Sequence, residues 1–372
     1  MRILIVMAGF FPGKNYGGPP VSVDNFCSLM KGEHDCYIIT HNHDMGENIP
    51  YQSISKEWTD RGNAKVLYVS DNEYRYATFL KAAREIHPDC IYLQGLFQGC
   101  IVPCLFVAKK EDIKVILAPR GELCAGAFNK KYKKIPYISF LKVMGLLKNV
   151  TFQSTSDEES DAIIRILGAK SKDVHLLSNI PSIPHDLPDH PVKKTGLGRF
   201  VFISRIHPKK NLLNAICFLK RVRGNVIFDV YGPMEEKGYW DECQSVIAEL
   251  SSNVKIEYKG VVGHDAIHNT FSQYDAFLFP THSENYGHVI AEALLSECVP
   301  IISDQTPWTD MNEAHAGWAM SLSDEAGFEK AIQDIIDADE NDMRAKRANL
   351  KKYLNEKLQL DTLKKSYLAV FK

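Results

Sequence analysis

Arg2-Ile3-Leu4-Ile5-Val6-Met7-Ala8 opens the chain as an unbroken apolar run, and residues 12 to 20, PGKNYGGPP, follow it almost at once. A run without polar alternation reads as a strand buried on both faces, the central position of a parallel sheet. The Gly/Pro loop gives way to a helical pattern over residues 21 to 30, which completes a β-loop-α unit. Similar runs recur at residues 36 to 40, 65 to 69, 90 to 93, 115 to 118 and 150 to 153, with helical stretches between most of them. Strands alternating with helices predict βαβ units and an open parallel sheet.

Residues 179 to 198 break this rhythm. Pro181, Pro184, Pro188 and Pro191, set among His, Asp and Gly with little hydrophobic period, read as an interdomain linker. Beyond them, strands at 199 to 204, 226 to 231, 254 to 259, 276 to 280 and 299 to 303 alternate with helices at 211 to 222, 239 to 250, 264 to 273 and 286 to 295. Charged helices at about 324 to 338 and 341 to 371 close the chain. The expected organisation is a first domain over residues 1 to 180, a linker over 181 to 198 and a second domain over 199 to 355. A length of 372 residues suits two such domains. Two doubly wound α/β domains facing each other leave a cleft between the carboxyl ends of their sheets, where such folds bind ligands.

Composition narrows the classes. With 45% hydrophobic and 24% charged residues the chain has globular proportions, which exclude disorder and fibrous repeats. Lysine plus arginine at 44 against 46 acidic residues gives a net charge of −2, so nothing global favours nucleic acid or anionic lipid. Nine scattered cysteines without a CxxC pair argue against a disulfide framework or a zinc-cysteine site and suit a reducing, cytoplasmic setting. The first apolar run is too short for a signal peptide, and no stretch of about 18 apolar residues predicts a membrane span.

Two segments carry chemistry. In the first, His282-Ser283-Glu284-Asn285-Tyr286-Gly287-His288 follows the strand at 276 to 280 and runs into a helix containing Glu292. Glu284 falls in the loop, and Glu292 lies about two turns into a helix expected to open at Asn285 or Tyr286. The backbone N–H groups of Tyr286, Gly287 and His288 then form an anion site at the helix N-terminus. Carboxylates on either side suit the hydroxyls of a sugar and a ribose, although two isolated glutamates would be ordinary surface residues. In the second, the strand at 199 to 204 ends in a loop with Arg205 and Lys210. An arginine fork and a mobile lysine charge at a strand terminus are what a departing diphosphate requires, and they can neutralise it without a metal.

The Glu284-x7-Glu292 spacing, the Arg205/Lys210 loop, the Gly17-Gly18 pair after strand one and Thr155-Ser156-Asp157-Glu158-Glu159 resemble the family 4 glycosyltransferases, retaining enzymes of GT-B architecture. Gln305-Thr306-Pro307-Trp308 further resembles the bacterial group 1 members that build O-antigen, capsule or exopolysaccharide. The resemblance implies that Arg205 and Lys210 hold the diphosphate of a UDP- or GDP-linked sugar and that Glu284 contacts the transferred hexose. Tyr286, Gly287 and His288 would offer amides to phosphate, with Asn285 beside them, and Glu292 would bind the ribose. Gly17 and Gly18 would let the first loop approach the donor. The implied reaction is front-face transfer with retention, without a metal, and the last helix, 356 to 372, would cross back onto the first domain.

Where many relatives carry a histidine after the fourth strand, this chain has Pro119-Arg120-Gly121-Glu122. Arg120 is expected to contact a donor or acceptor phosphate, the alternative being a structural salt bridge with Glu122 or another carboxylate. Residues 128 to 148 hold six lysines among apolar and aromatic side chains. They read either as a peripheral contact with anionic membrane, suited to a lipid-linked saccharide acceptor, or as an ordinary solvated helix. His41-Asn42-His43-Asp44 offers His-x-His ligand chemistry but no adjoining carboxylate cluster, so the reading there is a polar loop without a metal. The competing functions are a GT-B sugar-nucleotide 2-epimerase, which would not need the E-x7-E element, and a catalytically silent nucleotide-sugar-binding subunit. A nicotinamide dehydrogenase is disfavoured because no GxGxxG follows strand one.

Overall fold

The computed structural model describes the chain apart from Lys14, Asn15, Gly17, Ser53, residues 125 to 127, Asn129, Lys130, His185 and Asn285, and apart from the side chains of Lys131 and Asp265. It divides into two compact units, Met1–Ile180 with Leu360–Lys372, and Pro181–Gln359.

In the first unit the elements are β1 (Arg2–Val6), α1 (Gly18–Met30), β2 (Asp35–His41), β3 (Thr59–Asp60), β4 (Lys65–Val69), α2 (Tyr76–Ile86), β5 (Cys90–Gln94), α3 (Ile101–Glu111), β6 (Lys114–Ala118), α4 (Lys131–Val143), β7 (Val150–Ser154), α5 (Asp157–Ala162) and β8 (Val174–Leu176). The sheet order is β3-β4-β2-β1-β5-β6-β7-β8, with only the β3–β4 pair antiparallel among the described strands. Ile3, Leu4, Ile5 and Val6 are fully buried, which is why the opening run carries no polar alternation. From β1 the chain builds outward through β2 and β4, then returns to β5 on the other side, so strand order reverses beside β1.

The second unit contains β9 (Leu197–Ile203), α6 (Leu212–Cys217), β10 (Asn225–Tyr231), α7 (Lys237–Ile247), β11 (Val254–Gly260), α8 (Ile267–Phe271), β12 (Ala276–Phe279), α9 (His288–Leu295), β13 (Val299–Ser303), β14 (Trp318–Met320), α10 (Glu325–Asp337) and α11 (Glu340–Leu358). Its parallel sheet runs β11-β10-β9-β12-β13-β14, so order reverses between β9 and β12. Both sheets are the open, doubly wound α/β arrangement that the strand and helix periods predict. Proline-rich residues 181 to 198 belong to this unit: the buried Lys193 side chain lies 3.6 Å from Asp275, and the Lys193 amide donates to Glu340 at 2.8 Å. No helix among the described residues is long and apolar enough to cross a membrane.

The expected closing helix of 341 to 371 is two helices. Gln359 adopts a left-handed conformation (φ 39°) and separates α11 from α12 (Leu360–Val370), which joins the first unit. Tyr367, Val370 and Phe371 recur at helical spacing and bury their face against the sheet, with Phe371 ring centroids 4.8 Å from Phe26 and 5.0 Å from Tyr92. The Tyr367 hydroxyl accepts from Gln153 Nε2 and donates to the Ser178 carbonyl, both at 2.9 Å. Tyr367→Phe leaves that carbonyl and one amide hydrogen without their partner, so the first unit should lose about 1–3 kcal/mol. Urea denaturation checks this; an unchanged midpoint would show that α12 holds by its apolar face alone.

Candidate functional site

At the β9/β12 reversal the two outgoing loops are tied together. Asn211, buried and left-handed (φ 62°), donates through Nδ2 to the Pro280 carbonyl at 2.8 Å. The His282 amide donates to the Lys209 carbonyl at 2.9 Å, and Thr281 Oγ1 donates to it at 3.2 Å. Gly232, after β10, presses on the same region: a Cβ there would sit 1.8 Å from the Ser204 carbonyl oxygen. These ties bring Arg205, Lys210 and Glu284 to one edge. Lys210 Nζ forms an ion pair with Glu284 Oε1, both side chains being largely buried. Arg205 Nη1 meets both oxygens of Glu235, at 2.8 and 2.9 Å, with its side chain 46% exposed. An exposed pair contributes only about 0–1 kcal/mol, so an incoming anion displaces Glu235 cheaply, whereas Lys210 stays fixed by its carboxylate.

The helix carrying Glu292 starts later than the sequence suggests. Gly287 is left-handed (φ 74°) and forms the N-cap, and α9 opens at His288, so Glu292 lies little more than one turn in rather than two. The loop cannot continue the helix backward because its polar groups are committed elsewhere. Trp308 Nε1 donates to the Tyr286 carbonyl at 2.6 Å, and the Glu284 amide donates to the Gln305 carbonyl at 3.0 Å. The amides of Ile290 and Ala291 return to the Gly287 carbonyl, so Tyr286 contributes no helical N–H. Its phenol is instead packed inward, with its oxygen buried and lacking a hydrogen-bond partner among the described residues. Burial, then the nearby Glu292 charge, push that phenol well above its usual range. Burial alone raises Glu292 from 4.5 to about 7, and His264 Nδ1 lies 3.9 Å from it. Asn285 lies outside the described residues.

On the first unit, Arg120 follows β6 with a left-handed backbone (φ 56°). Its guanidinium donates to Gln94 Oε1 at 2.8 Å, Asn179 Oδ1 at 2.6 Å and the Tyr92 hydroxyl at 3.0 Å. The alternative of a salt bridge to Glu122 does not hold, because Glu122 instead accepts the amides of Leu96 and Phe97 at 2.5 and 3.1 Å. Among the described residues Arg120 makes no ion pair, so its charge is not cancelled. The fully buried Glu159 of the 155 to 159 motif steadies this turn, accepting from the Gly121 amide at 2.6 Å and from Thr155 N and Oγ1 at 2.7 and 2.8 Å. Gly18 is the first residue of α1, and Gly17 lies outside the described residues.

The basic segment folds as α4, with Pro136 inside it. Ile138 and Leu141 face the core, while Tyr132, Ile135, Phe140, Val143 and Met144 are exposed, Val143 by 85%. Lys133, Lys142 and Lys148 are exposed beside them, whereas Lys134 turns in over the Phe97 ring, 4.5 Å from its centroid. A recess of about 510 Å³ adjoins the helix, lined by apolar residues with Lys142 and Arg165. Asn211, Glu235 and the Gln94–Asn179 shell around Arg120 escaped the sequence reading, since each acts through a partner distant in the chain.

Two doubly wound units with this edge chemistry define the class, and comparison with known proteins shows what the chain is similar to. Residues 187–354, most of the second unit, match the family model described as glycosyl transferases group 1. The fold is GT-B: HepE of Anabaena, solved with UDP and glucose, superposes with a TM-score of 0.69 at 14% identity, covering 100% of this chain and 99% of that one. WaaG, a glycosyltransferase involved in lipopolysaccharide biosynthesis, gives 0.64 at 12% identity over 98% of both chains. The GtfA subunit of the UDP-N-acetylglucosamine–peptide N-acetylglucosaminyltransferase of Streptococcus agalactiae is 30% identical over 108 residues, 28% of this chain; the match spans only a fifth (20%) of that relative.

Burial of Glu292 makes a pH prediction. The folded protein keeps this proton up to about pH 7, while the unfolded chain releases it near 4.5. Stability should therefore fall as pH rises through that window and level off above it. Glu292→Gln removes the penalty, so the variant's advantage should grow to on the order of 3 kcal/mol by pH 7.5. Denaturant midpoints of the two proteins at pH 4.5 and 7.5 check this, and a constant difference would contradict it.

Proposed function

We propose that the protein is a metal-independent, retaining hexosyltransferase that moves a sugar from a UDP- or GDP-linked donor to a saccharide acceptor, lipid-linked, in surface-polysaccharide biosynthesis at the cytoplasmic face of a membrane. The observation that carries this reading is the convergence of Arg205 and Lys210 with Glu284 at the β9/β12 reversal, beside the Gly287-capped start of α9. In the transfer, the bond from the anomeric carbon to the donor's phosphate oxygen breaks. The acceptor oxygen attacks the same face, and its proton passes to a phosphate oxygen of the leaving diphosphate. Arg205, freed from Glu235, and Lys210 stabilise the charge that develops there. Glu284 holds Lys210 in place and accepts from the hexose. Glu292 accepts from the ribose hydroxyls. On the first unit Arg120, its charge uncancelled, receives a phosphate of donor or acceptor.

Arg205→Ala and Lys210→Ala should each lower kcat by roughly 10²–10³, the effect of removing one preorganised charge at a developing anion. The wild-type rate should persist in excess EDTA. A screen of UDP- and GDP-hexoses with product detection reads both. Unchanged turnover in either variant would sink the diphosphate assignment, and loss in EDTA restored by magnesium would sink metal independence.

The exposed apolar and basic face of α4 supports the lipid side of this reading. Vesicles containing phosphatidylglycerol should bind the protein at low salt, each lysine near the surface contributing about 1 kcal/mol. Phe140→Asp with Val143→Asp should release it. Equal sedimentation with and without vesicles would remove the membrane from the proposal.

A further inference from the structure

The strands β2 and β4 are parallel neighbours with His41 opposite Val69, and the Asn42 amide donates to the Val69 carbonyl at 2.9 Å. Two residues further along each chain, His43 and Asp71 therefore arrive at the same level beyond the sheet edge. The Ser70 amide and hydroxyl donate to Glu73 Oε2 at 3.1 and 2.6 Å and fix the turn that presents Asp71. His43 Nε2 and His41 Nδ1 both lie 2.9 Å from the same oxygen, Asp71 Oδ1.

Protonation of His43 alone does not account for the whole cluster. His43 Nδ1 lies 2.9 Å from the Asp44 carbonyl, which can only accept, so Nδ1 carries the proton of the neutral ring. Its Nε2 faces a carboxylate oxygen, so in the neutral ring it meets that oxygen with a lone pair and is matched only by a second proton or a cation. His41 Nδ1 is buried and oriented so that its approach to Asp71 makes no hydrogen bond. A second proton on His43 would relieve one of these contacts and leave His41 unmatched; a cation between the three atoms relieves them all. The three ligand atoms lie within 4.8 Å of one another. Ligands about 2.0–2.1 Å from a tetrahedral zinc stand roughly 3.3 Å apart, so on binding the two contacts to Asp71 open slightly and the two ring nitrogens settle at that same spacing. The bond from His43 Nδ1–H to a backbone carbonyl is also what orients a metal-ligating imidazole.

We propose that His41, His43 and Asp71 form a binding site for a divalent transition-metal ion of the zinc class, with three protein ligands and an open fourth position. The site lies on the first unit, is independent of the diphosphate-binding residues of the second, and does not rest on the transferase reading. His41 and His43 signal the chemistry in sequence; Asp71, 28 residues after His43, supplies the missing carboxylate.

The test is calorimetric titration of the EDTA-treated, dialysed full chain with zinc chloride, together with ¹H–¹⁵N spectra of the histidine rings. Expected is about one equivalent bound, with selective shifts of the His41 and His43 ring nitrogens, and loss of both in Asp71→Asn and His43→Gln. Asp71 is exposed, so its variant should fold, and an unchanged metal-free thermal midpoint verifies that. Absence of binding, binding without those ring shifts, or binding that survives undiminished in Asp71→Asn would each overturn the proposal.

Discussion

The hydrogen bond from Asn211 to the Pro280 carbonyl holds the second unit's candidate site together. Where parallel strand order reverses, the loops leaving adjacent strands run in opposite directions across the sheet, and a crevice opens between them. Without a tie, Lys210 after β9 and Glu284 after β12, 74 residues apart, would have no reason to meet. Asparagine suits the position on two counts. It tolerates the left-handed backbone that ends the short turn over Pro208–Lys210, and its side-chain amide replaces a backbone donor in reaching the neighbouring loop. Its burial makes the bond costly to lose, because the Pro280 carbonyl would remain without a donor.

The cations of the two units differ in how far the fold has already committed them. Lys210 is partly buried against a carboxylate and serves as a fixed charge whose position is set before any ligand arrives. Arg205 is exposed and holds Glu235 in a pair that water largely screens, which makes it exchangeable. Arg120 is positioned by neutral oxygens alone, so geometry is specified without neutralisation. A guanidinium has five donors, and three side-chain partners leave capacity for a further acceptor. For Arg120 the arrangement is preorganisation in the strict sense: orientation is supplied by the fold and the charge is left unneutralised.

The α/β architecture was legible because buried parallel strands need continuous apolar runs, and both units show them. Arg205, Lys210 and Glu284 stand out in the sequence because they sit in loops leaving strand ends, where such sheets place polar side chains, and Glu292 by its spacing from Glu284. What sequence misplaced is local: the start of α9 depends on Gly287 adopting a left-handed turn and on Trp308 capturing the Tyr286 carbonyl, a contact 22 residues away. The break at Gln359 escaped for a similar reason, since glutamine is an ordinary helix former and only the packing of α12 on the first unit calls for the turn. Partners such as Glu235 and Asp71 come from neighbouring strands, and no local spacing announces them.

The shortened α9 also changes what its length can measure. From His288 to Glu292 is four residues, an axial rise of about 6 Å, whereas a helix opening at Tyr286 would have set the two ends about 9 Å apart. A nucleoside diphosphate with phosphate at the helix start has to place its ribose hydroxyls within a few covalent bonds, and the shorter span suits that reach. Gly287 is then more than a terminator. A side chain there would be strained at φ 74°, and its Cβ would stand 2.8 Å from Ile290 Cδ1, so a substitution would tend to push the turn away and move the phosphate end relative to Glu292. The glycine sets the distance between the two ends of the proposed ligand, and Glu292, kept protonated by burial until near neutrality, stands at the far end of that distance, where the ribose hydroxyls of that proposed ligand would favour its ionised form.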